Sequence, residues 1–217
     1  MASERSARQR RANGEESRRR ILDATVEIAG ERGYEGTSIK LVSARAGLPA
    51  SSIYWHFKDK DELIAAVIER SFGAWLEAMT LPEVEPAAVE ALEPVELARR
   101  RARTLAAQMA KALLDSPDFL RLGLMLALER RPEEPSARTM FLQVRHVAHE
   151  RVVHAIGELA PDLAPTTARR LATYALAAAD GLFIAHEIGG DDVDLLDLFD
   201  MHAHALSDTV ARLREAQ

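Results

Sequence analysis

At 217 residues and 23.9 kDa, the chain has room for one large domain, or for a small domain joined to a larger one, with a substantial core. Its 47% apolar and 29% charged residues, with only 11 Gly and 9 Pro, exclude a disordered or fibrous chain. The lack of cysteine excludes disulfides, thiolate nucleophiles, iron–sulfur clusters and thiolate zinc sites, and reads as cytoplasmic. The overall charge of −6 hides a division: residues 1–63 hold twelve Lys/Arg and ten Asp/Glu, net +2, and the remaining 154 residues are net −8.

Residues 1–20 carry seven Arg against three Glu and contain no apolar stretch that would serve as a secretory signal. They read as a flexible cationic arm (residues 1–15) suited to a phosphate backbone or minor groove. No apolar run approaches the ~18 residues that a membrane-spanning helix needs; Leu171 to Ala179 is broken by Asp180.

From Glu16, the helical spacing of Ile21, Ala24, Ile28 and Ala29 predicts a first helix ending near Arg32, with Gly33 placed for positive φ. Thr37 or Ser38 offers an N-cap to a second helix that Gly47 closes, and Leu48-Pro49 opens a third over Ala50 to Phe57, with Pro49 as its first helical residue. Asp59 with Glu62 resembles a capping box before a fourth helix reaching about residue 79. A proline-containing connector follows to about Pro94. Helices are then predicted at about 95–115, 117–130, 136–160, 166–189 and 193–215, with no strand alternation and no repeat. The fold class is all-α with about nine helices.

Two short helices meeting at Gly47-Leu48-Pro49 form a helix-turn-helix pattern. Ala50, Ser51 and Ser52 on the leading turn of the second helix are the base-reading candidates, because small or hydrogen-bonding side chains suit the major groove. Lys60 stands in a helix's first turn, where the macrodipole disfavours a cation, so an external anion would account for it. Thr37, Ser38 and Lys40 are secondary phosphate candidates.

The stretch from Gly33 to Leu63 resembles the DNA-binding domain of the TetR (tetracycline-repressor) family of bacterial transcription regulators. The likeness rests on Gly33, Thr37-Ser38, Ala46-Gly47-Leu48, Ile53-Tyr54, His56-Phe57, Lys60 and Leu63, and covers about residues 16–70. It implies phosphate contacts for Tyr54 and His56. It also implies a helix-turn-helix domain over 16–63, a fourth helix as link to about residue 79, and a ligand-binding and dimerisation domain over 80–217. One departure is Pro49, which stands where the family usually has a Ser or Thr cap, so that proline's fixed φ would position the recognition helix.

Candidate lining residues for an effector pocket are Trp75, Met79, Met109, Leu122, Met125, Phe141, Val144 and Tyr174, with Arg121, Gln143, His146 and Asp180 as polar anchors. Stripes on the last two helices suggest a homodimer seam: Ala168, Ala172, Ala175, Ala179, Leu182 and Phe183, then Leu196, Phe199, Ala203, Leu206, Val210 and Leu213. His146 and His149 lie three apart, but no set reaches three metal ligands, and no phosphate-cradling loop or nucleophile elbow is found. The expectation is therefore a non-enzyme without cofactor or metal. It is a ligand-responsive repressor that binds a palindromic operator in double-stranded DNA as a homodimer and is released by a small, largely apolar effector, with no membrane partner. A DNA-organising protein of the same fold without an effector is the alternative.

Overall fold

The structure is a computed structural model that describes residues 2–78, 93–128 and 135–215. Among them are nine α-helices and no strand: α1 (Ala2–Gly36), α2 (Ile39–Ala46), α3 (Ala50–His56), α4 (Lys60–Ala78), α5 (Pro94–Asp115), α6 (Asp118–Leu128), α7 (Ser136–Leu159), α8 (Pro165–Gly189) and α9 (Leu195–Glu215), with a 3-10 turn at Gly190–Asp192. The all-α expectation holds, with helix ends within about two residues of those read from periodicity except at α1. There the helix starts at Ala2, so the Arg-rich stretch expected to be an arm continues α1. Gly33 breaks α1 with φ 68° and ψ −176°, where the spacing required a residue free to take positive φ.

The chain forms two compact units: residues 1–72 with 118–143, and residues 73–117 with 144–217. This division differs from a boundary at residue 80. The apolar face of α6, with Phe119, Leu120, Leu122 and Leu126, is buried and α6 packs on α1 in the first unit.

In the first unit the core is made by Ile21, Leu22 and Ile28 of α1, Val42 of α2, Ile53 of α3, and Leu63, Ile64 and Val67 of α4. Each such side chain contributes about 1.5–3 kcal/mol when fully buried. The α2–α3 turn is a Schellman motif. Gly47 adopts φ 62° and ψ 34°, its N–H donates to Ala44 O, and the Leu48 N–H donates to Ser43 O. Asp59 caps α4 through the Glu62 N–H at 2.9 Å, while Glu62 accepts from the Lys58 N–H, one residue before the cap. Asp61 accepts from the Tyr34 hydroxyl and from the Ser136 and Ala137 N–H groups, placing a carboxylate at the N-terminus of α7.

In the second unit α5 lies along α9, and α8 packs on α9. Val152, Ala172, Ala175 and Leu176 form one buried cluster, and Ala160, Leu163 and Leu171 another. Ion pairs join the helices at the surface: Arg103–Asp200 between α5 and α9, and Arg169–Glu150 between α8 and α7.

Candidate nucleic-acid interface

The α3 helix is seven residues long, so its two faces are set by very few side chains. Ile53 is fully buried and Phe57, just beyond the helix, is 3% exposed, and these anchor one side. The opposite side presents Ser51 and Tyr54, three apart, and Trp55, four from Ser51. Tyr54 is 57% exposed and Trp55 75% exposed, leaving a phenol and an indole in solvent. The other base-reading candidates, Ala50 and Ser52, flank this face and are half-buried.

Three contacts fix the orientation of α3. Pro49 is the N-cap, not the first helical residue, with φ −64° and no side-chain cap bond; its carbonyl accepts from the Ser52 N–H at 2.9 Å. The Ser43 hydroxyl donates to Leu48 O at 2.7 Å across the turn. The Arg20 guanidinium of α1 donates to Ala46 O at 2.6 Å, satisfying a carbonyl at the negative end of α2. Arg20 therefore serves the turn, whereas in the sequence it is indistinguishable from the rest of the cationic arm.

The phosphate candidates have different surroundings. Lys40 is exposed, and Ser38 caps α2 by accepting from the Leu41 N–H. Thr37 requires a correction. It is 2% exposed and its hydroxyl donates to Gly33 O at 2.8 Å, so that side chain closes the α1–α2 turn instead of facing solvent. Lys60 is engaged inside the chain: its Nζ donates to Tyr34 O at 3.2 Å, lies 4.3 Å from the Tyr34 ring centroid, and is 3.7 Å from Glu35. These partners account for a lysine in the first turn of α4 without an external anion. His56 is half-buried, with Nε2 3.3 Å from the Ser17 hydroxyl, and burial, aided by the nearby Arg18 charge, holds its pKa below the usual imidazole value.

Trp55 is the site residue that pattern reading left unassigned. Its ring lies beside α1, within 3.6 Å of where a Cβ on Gly14 would be, and packs edge-on against His56. The outward direction follows only once Ile53 is known to point inward.

The second unit holds an apolar cavity of about 140 Å³ lined by α5, α7, α8 and α9. Leu105, Met109, Val152, Ile156, Leu171, Phe199 and Leu206 contribute to its wall, along with alanines 98, 102, 106, 155, 175 and 203. Small side chains facing one another leave space that close packing would otherwise fill.

Of the expected pocket residues, Met109 lines this cavity. Arg121, Leu122, Met125, Phe141 and Gln143 belong to the other compact unit, where Phe141 packs against Gly123. Trp75 and Val144 are buried, and Met79 lies outside the described residues. His146 and Tyr174 are exposed. Asp180 makes a half-buried, two-point pair with Arg145 at 3.0 and 2.7 Å, while burial still raises its pKa.

The expected dimer stripes also need correction. Ala168, Ala172, Ala175, Ala179, Phe183, Phe199 and Ala203 are buried within their own chain. Leu206, Val210 and Leu213 pack on the internal clusters, Leu182 is half-buried, and only Leu196 is exposed. A period of three and four marks a buried helix face but not what covers it. His149 contacts Thr173 and Glu150, and no group of three metal-ligating side chains occurs among the described residues.

Residues 21–67 match the family model described as bacterial regulatory proteins, tetR family. The helix-turn-helix part of the chain is thus similar to the DNA-binding part of this family. Among TetR relatives, the HTH-type transcriptional regulator AcrR of Shigella flexneri is 35% identical over 65 residues, 30% of this chain and 30% of AcrR. The HTH-type transcriptional repressor KstR of Mycolicibacterium smegmatis is 39% identical over 57 residues, 26% of this chain and 28% of KstR. The matched segments thus span less than a third of these relatives. A crystal structure of FadR from Bacillus subtilis in complex with stearoyl-CoA aligns over 87% of this chain and 96% of its own, with TM-score 0.64 and 17% identity. The likeness in the DNA-binding part is therefore one of sequence and fold, and in the second unit one of fold.

Proposed function

We propose that this chain is a TetR-family transcriptional repressor that binds a palindromic operator as a homodimer and releases it when a small, largely apolar effector occupies the second unit. The observation that carries the reading is α3, which presents Ser51, Tyr54 and Trp55 to solvent from a Schellman turn held by Arg20 and Ser43. A helix so short reads few bases, and two copies related by two-fold symmetry double the site. Ser51 and Ser52 hydrogen-bond base edges and Ala50 contacts a thymine methyl. Lys40, Ser38, Tyr54 and His56 position the backbone, with Lys60 adding a phosphate contact where its remaining donors allow.

With the inward stripes occupied, the dimer face is the outward side of α8 and α9. Tyr174, Ala177, Gly181, Ile184 and Ile188 follow one another at spacings of three and four on α8, and α9 adds the half-buried Leu198 and the exposed Met201. The apolar cavity supports the ligand response. The chain passes between the compact units within α4, between α5 and α6, and within α7, and the helices α4 and α7 are the proposed route from an occupied cavity to the spacing of paired recognition helices.

The test is selection of binding sequences from random duplex DNA, then titration with wild type and Lys40→Ala at two salt concentrations. A two-fold symmetric site is expected, with the salt slope shallower by about 0.9 in Lys40→Ala for each phosphate that the lysine neutralises in the wild type. Gly181→Arg should halve the solution mass by light scattering and abolish binding to the full site. Enrichment of no sequence would overturn the operator reading and favour DNA organisation.

A further inference from the structure

The apolar cavity of the second unit has one feature its hydrophobic wall does not require. His202 of α9 lines it, with the Ala175 backbone beside its ring, and the Nε2 of that ring is buried with no hydrogen bond of good geometry among the described residues. An unmade bond at a buried polar atom is costly, and native proteins keep few of them. The ring is held between Tyr174 and Phe199, with centroids 6.1 and 6.4 Å away.

The other polar groups lining the cavity already have partners. The Ser207 hydroxyl donates to Ala203 O at 2.8 Å. Arg99 pairs with Asp208 at 3.6 Å, and Arg214 grips Asp162 through several contacts, the shortest at 2.6 Å. Both guanidiniums already face carboxylates, and a carboxylate placed among the alanines and leucines of the wall would lose its hydration without compensation. The volume of about 140 Å³ is close to that of an apolar protein cavity that takes up benzene, roughly 150 Å³.

We propose that this cavity binds a compact, uncharged molecule with about one six-membered carbon ring and a single hydroxyl, a phenol or small cyclic alcohol, whose hydroxyl bonds to His202 Nε2. A hydroxyl donates or accepts, so it satisfies Nε2 in either neutral tautomer. The inference rests on the effector reading for its regulatory meaning, though the site is defined by the cavity alone.

The experiment is isothermal titration of the full chain with phenol, toluene and benzoate, followed by the imidazole ¹⁵N resonances during the phenol titration. Phenol is expected to bind about five-fold or more tighter than toluene, as one net hydrogen bond predicts. Benzoate should show no measurable binding, and the His202 Nε2 resonance should move with phenol. His202→Leu should bring phenol down to the toluene level while leaving toluene within about two-fold. If that variant does not fold, the wild-type ligand ranking and the ¹⁵N shift decide. Equal binding of phenol and toluene, a preference for benzoate, or no binding by any of the three overturns the proposal. Operator titration with and without saturating phenol separates the two readings. Bound phenol with unchanged DNA affinity upholds the cavity proposal and overturns the effector reading. Intact operator binding with none of the three molecules bound overturns the cavity proposal and leaves the DNA-binding reading standing.

Discussion

Replacing Arg20 by Met keeps the apolar stem and removes the guanidinium that holds the α2–α3 turn. The native side chain donates to Ala46 O at 2.6 Å, with a longer approach to Gly47 O at 3.4 Å. A hydrogen bond from a charged donor is worth about 1.5–3 kcal/mol net, and a cation at a helix C-terminus adds about 0.3–1 kcal/mol. Because Arg20 is exposed over much of its length, the low end of each range applies, and the expected loss is about 2 kcal/mol. In a chain of this size that lowers Tm by about 4–8 °C if the chain unfolds in one step. The functional expectation is distinct from that of a phosphate-binding residue. The turn orients α3, so operator affinity should fall by about ten-fold while the salt slope stays within about 0.3 of wild type. Thermal unfolding by circular dichroism and operator titration at three salt concentrations read both quantities. An unchanged Tm with a salt slope smaller by about 0.9 would refute the reasoning, because Arg20 would then be neutralising a phosphate.

Further outcomes follow from packing and charge. Gly123→Ala sets helix propensity, which favours Ala by about 1 kcal/mol, against Phe141, whose ring carbons lie 1.9 and 2.1 Å from the new Cβ; packing should win, with a net loss of about 1–3 kcal/mol by denaturant unfolding, and Phe141→Leu in the same chain should recover part of it. Arg145→Met strands the half-buried Asp180 carboxylate, and a loss of about 2–3 kcal/mol is expected; the double variant with Asp180→Leu should regain most of it in a double-mutant cycle. The lowered pKa values of His56 and His202 are set first by burial. Their unfolded forms take up protons first as pH falls below the usual imidazole value of about 6.5. The stability they contribute is therefore complete above that pH and declines as pH falls through the folded values. His202→Leu should flatten the pH dependence of Tm between about 6.5 and 5, and an unaltered slope would show that His202 does not titrate with folding.

Much of the DNA-binding unit was legible from residues alone because its signals are local. Gly33 and Gly47 punctuate where only positive φ continues the chain, Ser38 and Asp59 cap the helices they precede, and Ile21, Ala24 and Ile28 recur at helical spacing on α1 into a core that Val42 and Ile53 also enter. Helix count and class came from the same periodicity. The roles that tertiary structure decided depend on atoms far apart in sequence. Arg20 reaches across 26 residues to the turn it holds, and Lys60 across the same interval to a carbonyl that makes an outside anion unnecessary. Thr37 turns inward at a junction where a Ser or Thr pattern is compatible with either direction. The seam expected on α8 and α9 shows the limit most clearly: spacing marks which side of a helix is apolar, but only the neighbouring helices determine whether that side meets its own chain or another copy. The cavity was least visible, since pattern reading looks for large side chains that line a ligand, whereas this space exists where alanines from several helices meet. Facing positions are a property of three-dimensional register, which no spacing along one helix encodes.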